Sequence, residues 1–192
     1  MKYLFLLDFD KTIIDFDSYT RIVLLCTKPH KKIIFLLLSI LHKLKLIDNF
    51  KLKFLVNSYV FNFLDKKNRS AISEAIKMIV KDQEKLNFID QLPQNSEIII
   101  VSATYGFIVK EFISKYKLYR EEIKVLGNDF DFYPGYLKGR AVKQLTFENN
   151  LILSNYINVV SYSDSMSDKT FLEVANIFYL VKKGKIIDDF KS

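Results

Sequence analysis

Two aspartates one residue apart, Asp8 and Asp10, stand directly behind the apolar run of "YLFLLDFDKT" at residues 3 to 12. Three further stretches carry residues suited to phosphate chemistry. "EIIIVSAT" runs into Ser102, "YLKGRAVKQL" holds Lys138 and Lys143, and "VVSYSDSMSD" leads to Asp164 and Asp168. Two acidic clusters converging at one sheet edge would repel each other unless a divalent cation lay between them, and hard oxygen ligands point to Mg²⁺. A carboxylate held against that ion stays ionised and can attack phosphorus, which assigns Asp8 as the nucleophile of an aspartyl-phosphate route. The leaving oxygen then needs a proton. Asp10, its pKa raised by the crowded acidic site, is assigned as the general acid and afterwards as the base for the attacking water. Ser102 and a lysine ammonium would hold phosphoryl oxygens, while Asp164 would complete the metal shell with Asp168 in support.

Such a constellation needs strands whose ends meet at one edge. Residues 3–7, 98–101, 123–126, 157–160 and 177–181 are short apolar runs, as expected of strands buried on both faces of a parallel sheet. Between them, Ile108, Val109, Phe112, Ile113 and Tyr116 follow helical spacing, and Phe171, Leu172, Val174 and Ala175 suggest a further helix. The alternation predicts an α/β fold with a doubly wound, mainly parallel Rossmann-like sheet, whose ligands bind beyond the C-terminal strand ends. From about residue 18 to 92 the strand signals vanish. Ser70 is a plausible N-cap for a helix with Ile72, Ala75, Ile76, Ile79 and Val80 on one face. The expected organisation is a core of 1–17 and 93–192 carrying an all-helical cap at 18–92.

The bland reading of each motif is local. An Asp-x-Asp after a strand often caps a following helix, a strand-end serine is commonplace, and either lysine alone is a surface charge. The chain contains its own control in "DFDF" at 129–132, where Asp129 and Asp131 repeat the spacing but lead into Tyr133-Pro134-Gly135, a turn. Four motifs in order, each at or near a strand end, outweigh those local readings.

The ordered set "DFDKT", "IIIVSAT", "KGRAVKQL" and "YSDSMSD" resembles the four motifs of the haloacid dehalogenase superfamily, in its phosphoserine-phosphatase-like branch. The resemblance covers roughly 1–17 and 93–182. It implies a phosphatase with Asp8 as nucleophile, Asp10 as acid/base, and Mg²⁺ held by Asp8, the backbone carbonyl of Asp10 and Asp164. Thr12 of the first motif joins Ser102 as an implied phosphate ligand. Members with a "KGxVxxL" pattern use the lysine before the glycine, which favours Lys138 over Lys143. Members with a helical cap directly after the first motif match the 18–92 insertion. The chain departs from the pattern at Ser163, where a glycine commonly precedes the fourth-motif aspartate.

Charge and composition bear on the substrate. The net charge is +7, and from Lys28 to Lys53 seven lysines stand against one acid, Asp48, so that +6 of it lies in the cap. Residues 33–41 carry nine positions with only Ser39 polar, about half the roughly 20 needed to span a bilayer. A short apolar helix flanked by lysines suits an interfacial element on anionic lipid, or else the buried seam of the cap with solvated ends. The whole pattern is also similar to the phosphatidylglycerophosphatase C type within the same branch, which implies a lipid phosphate monoester. Phosphoserine or another small soluble phosphorylated metabolite is the alternative, and Asp17 would then face the substrate amine, unless it serves as an N-cap or hinge. A non-enzymatic membrane or nucleic-acid binding module would leave the motif set unexplained. The segment from Lys28 to Lys53 has lysines without arginine and lacks the aromatic and basic interleaving of a stacking platform, so no nucleic-acid partner is expected. A lone cysteine, Cys26, and two histidines, His30 and His42, offer neither a disulfide nor a zinc site. Five apolar residues before Asp8 are too few for a signal-peptide core, so a cytoplasmic protein is expected, peripheral on the inner membrane face if the lipid reading holds.

Overall fold

The computed structural model describes residues 2–81, 89, 92–116, 123–127, 155–166, 168, 173–182 and 185–191, with 188–191 as backbone only. Six strands form one sheet: β1 (Lys2–Asp8), β2 (Ser96–Val101), β3 (Ile123–Leu126), β4 (Tyr156–Ser163), β5 (Ile177–Lys182) and β6 (Lys185–Lys191). Their order is β3-β2-β1-β4-β5-β6, and every pairing is parallel except the terminal β5–β6 hairpin. The chain builds outward from β1 through β2 to β3, then returns to the other flank of β1 for β4. The strand order therefore reverses at β1, where open α/β sheets leave a crevice beyond the C-terminal strand ends.

The apolar run of β1 is continuous because both its faces are covered. Leu4 and Leu6 pack with Ile99, Val101, Val159 and Phe178 on one face, while Phe5 and Leu7 pack with Ile98, Ile100 and Val160 on the other. This is the period-2 alternation of a pleated strand applied to a two-sided core. The sequence reading found five of these strands. It did not find β6, whose "KIIDDFK" mixes charge with apolar residues, as suits an antiparallel strand at a sheet edge.

Among the described residues, four α-helices lie between β1 and β2: α1 (Ser18–Cys26), α2 (Pro29–Lys43), α3 (Asn49–Leu55) and α4 (Arg69–Lys81). A π-type turn at Val56–Val60 and a 3₁₀ turn at Lys66–Asn68 join the last two. Asp17 caps α1 by accepting from the Thr20 N–H, and Asp48 caps α3 by accepting from Lys51. The expected Ser70 cap is corrected: α4 already includes Ser70, because Asp65 caps the preceding 3₁₀ turn, which runs straight into α4 at Arg69. Ile72, Ala75, Ile76 and Ile79 of α4 are buried as the spacing required. The three isoleucines join the core cluster that includes α5 (Gly106–Lys115), the helix after β2, through Ile108, Val109 and Phe112.

Helix α2 departs from the buried-seam alternative. Only Phe35 is buried and Leu38 partly so, while Ile33, Leu36, Leu37, Ile40 and Leu44 are all more than half exposed. Of the helix expected near 171–175, only Glu173 and Val174 lie within a described helical turn. The "DFDF" stretch lies outside the described residues.

Candidate active site

Asp8 is the last residue of β1, buried, and registered against Val101 of β2, so Ser102 follows on the neighbouring strand at the same edge. Beyond Asp8 the chain does not enter a regular helix. Phe9–Ile13 forms one π-type turn in which Asp10 is extended and Lys11 takes a left-handed conformation at φ 61°, closed by hydrogen bonds from Lys11 N–H to Phe16 O and from Ile14 N–H to Phe9 O. A long side chain at positive φ is uncommon and concentrates at functional turns. Here the turn buries Phe9 against Phe112 and leaves Asp10 close to Asp8.

The two aspartates have different partners. Thr12, fully buried, donates its hydroxyl to Asp8 Oδ2 at 3.2 Å. Asp10 Oδ1 accepts from the Ser18 N–H at 2.7 Å and Oδ2 from the Thr104 hydroxyl at 2.6 Å. Burial, and next the charge of Asp17, push the Asp10 pKa up, while the bonds from Ser18 and Thr104 pull against that shift. Asp10 therefore combines a raised affinity for a proton with a fixed orientation. Thr104 is itself held by its N–H, which donates to Ser102 Oγ at 3.0 Å, and by the Ser18 hydroxyl at 3.4 Å.

From the far side, β4 delivers Asp164. One carboxylate oxygen each of Asp8, Asp164 and Asp168 lies within 4.8 Å of the others, an all-oxygen set that fits a hard divalent ion such as Mg²⁺. The Asp10 carboxylate, engaged by Ser18 and Thr104, is outside that set, which leaves its backbone carbonyl as the group it could offer. Ser163 has a use here: fully buried at the end of β4, it donates a hydrogen bond to Asp168 Oδ2 and accepts from the Ser165 N–H.

A cavity of about 610 Å³ opens over this edge and is lined by Asp8, Asp10, Asp17 and Asp164 on one side. Its other side is made by the helices between β1 and β2: Leu24, Phe35, Leu36 and Leu52, with Lys43 and Lys53 among them. Lys53 reaches across to donate to Ala103 O at 3.0 Å, with its ammonium 5.2 Å from the Tyr19 ring centroid. Thus Asp8, Asp10, Asp17 and Asp164 meet at one cavity, with Thr12, Ser102 and Asp168 buried or half-buried beside it. Lys138 and Lys143 lie outside the described residues. Three residues that hold the site were not singled out in the sequence: Ser18, Thr104 and Lys53. Thr104 could have been found, since it sits two residues beyond Ser102 in "VSAT".

No model of a known protein family matches the chain. Solved structures do resemble it in fold. A phospho-aspartyl intermediate analogue of phosphoserine phosphatase superposes with a TM-score of 0.51 at 14% identity, covering 93% of this chain and 86% of that one. A phosphoserine phosphohydrolase-like protein from Francisella tularensis gives 0.52 at 19% identity over 94% and 87% of the two chains. A candidate phosphoglycolate phosphatase from Lactobacillus plantarum gives 0.51 at 15% identity over 97% and 94%. The likeness is one of fold: a mixed α/β architecture with a mainly parallel, Rossmann-like six-stranded sheet flanked by helices, as the alternation of strands and helices implied.

Proposed function

We propose that this chain is a Mg²⁺-dependent phosphomonoesterase of haloacid dehalogenase type. The observation that carries the reading is the pairing at the end of β1: Asp8 shares an acidic cluster with Asp164 and Asp168, while Asp10 is held apart by Ser18 and Thr104 with its pKa raised. An Asp8 oxygen attacks phosphorus as the ester P–O bond breaks, and Asp10 gives its proton to the departing alcohol oxygen. Asp10, now a carboxylate, takes a proton from water whose oxygen attacks the same phosphorus. The bond to Asp8 breaks, releasing inorganic phosphate and returning both carboxyl groups to their starting states. Asp8, Asp164 and Asp168 would hold Mg²⁺, whose positive charge would let an anionic nucleophile approach an anionic phosphoryl group. Thr12 orients Asp8, and Ser102 with Lys138 holds the phosphoryl oxygens.

The substrate we favour is a lipid phosphate monoester, phosphatidylglycerophosphate among them, because Leu24, Phe35, Leu36 and Leu52 give the cavity an apolar wall opposite the acidic edge. A small soluble ester such as phosphoserine is the second reading, because Asp17, although it caps α1 through Oδ1, also lines the same cavity. Hydrolysis of an aryl phosphate with Mg²⁺, its loss in EDTA and its return on adding Mg²⁺ test the chemistry. A panel of phosphatidylglycerophosphate, phosphoserine and phosphoglycolate then tests the substrate, with the highest kcat/KM expected for the lipid. Metal-independent turnover would remove the mechanism, and preference for phosphoserine would remove the lipid assignment alone.

A further inference from the structure

The outer face of α2 has no covering element among the described residues. Ile33, Leu36, Leu37, Ile40, Leu41 and Leu44 recur at three- and four-residue intervals and so form one stripe along the helix. Exposures along the stripe run from 37% at Leu41 to 63% at Leu44. On the other side, Phe35 and Leu38 pack into the core, so α2 is apolar all round yet only half covered. Lysines flank the stripe at both ends, with Lys28, Lys31 and Lys32 before it and Lys43 and Lys45 after it. The stripe also meets the cavity: Leu36 is 54% exposed and lines the cavity wall with Phe35.

We propose that this face of α2 docks on the surface of an anionic lipid bilayer, lying in the interface plane with the cavity mouth against the lipid. The inference rests on the lipid-phosphate reading above and adds how such a substrate would be reached. The occupant follows from charge as well as from apolarity. A helix lying in an interface inserts its apolar face among headgroups while flanking cations attract anionic lipid. No helix among the described residues is long and apolar enough to cross a membrane. A second copy of this chain would set the five flanking lysines against their own counterparts, a like-charge pairing that opposes self-association.

The test uses the full chain carrying Asp8→Asn, so that no lipid is consumed. It should sediment with vesicles of equal parts phosphatidylcholine and phosphatidylglycerol, be released as salt rises, and bind phosphatidylcholine alone at least about tenfold more weakly. Adding Lys31→Gln, Lys32→Gln and Lys45→Gln should lower partitioning roughly a hundredfold, at about 1 kcal/mol per lysine. Adding Leu37→Glu with Ile40→Glu instead should abolish sedimentation. In the chain with Asp8 intact, that glutamate pair should leave aryl phosphate hydrolysis unchanged, which also shows that it folds. Absence of vesicle binding alongside normal aryl phosphate hydrolysis overturns the docking and spares the phosphatase. Vesicle binding without hydrolysis does the reverse. Equal binding to both vesicle types, or a dimer that the glutamate pair converts to monomer, also overturns it.

Discussion

The acidic edge of the sheet and helix α2 are built on opposite terms. At the edge, Asp8, Thr12, Ser102, Thr104 and Ser163 are nearly or fully buried, and each has a hydrogen-bond partner fixed by a strand end or a tight turn. Along α2 most apolar side chains other than Phe35 and Leu38 face outward, and the helix starts on Pro29 without a side-chain cap. The contrast separates two tasks. Chemistry demands groups held to fractions of an ångström, which only a packed sheet supplies, whereas recognition of a large or disordered partner needs a surface left uncovered.

That division makes graded predictions. Asp8→Asn should remove turnover by on the order of 10⁴-fold or more and abolish the trapped phosphoenzyme, with the circular dichroism spectrum unchanged. Retained Mg²⁺-dependent activity would relocate the nucleophile. Lys138→Ala should lower kcat by on the order of 10²-fold or more, and Lys143→Ala by much less; the opposite ranking would exchange their roles. Thr104→Val should lower kcat by about tenfold to a hundredfold, with KM little changed. Because it removes a bond that favours the charged Asp10, it should also move the alkaline limb of the kcat profile to higher pH. A KM effect without that shift would make Thr104 merely structural.

Smaller effects probe the scaffold. A Cβ at Gly127 would stand 2.3 Å from Gly106 Cα, so Gly127→Ala should cost about 1–3 kcal/mol in denaturant unfolding and loosen the loop that carries Thr104. Glu111 of α5 accepts from Ser73 of α4, and that bond, ahead of Lys115, holds its pKa low. A depressed carboxylate contributes stability above its unfolded pKa and loses it as pH falls through the folded value. Glu111→Gln should therefore cost at most a few tenths of a kcal/mol near neutral pH, after solvent screening, and nothing in acid. A larger loss that persisted in acid would mean the helices are joined by packing at that point.

What could be read from the sequence follows the same contrast. The parallel strands were legible because burial on two faces demands unbroken apolar runs, and the acidic pairs stood out because like charges directly behind such runs need a partner. β6 escaped because an edge strand needs no apolar run. Ser18 and Lys53 escaped because their partners, Asp10 and Ala103, are set by the packing of the inserted helices, which no local pattern encodes. The exposure of α2 could not be read at all. An all-round apolar helix has the same sequence whether a neighbour covers it or not.

The loop Ser102–Tyr105 receives three ties from the inserted helices: Ser18 meets Thr104, Lys53 meets Ala103, and Asn57 donates to the Tyr105 hydroxyl at 2.6 Å. The first residue of that loop is the proposed phosphate ligand. Phosphate and the inserted helices thus share one short landing, and whatever influence either has on the other's grip there must be returned in equal measure. A product that leaves slowly would keep the roof of the cavity down, and a roof pulled toward a lipid surface would change how long phosphate stays.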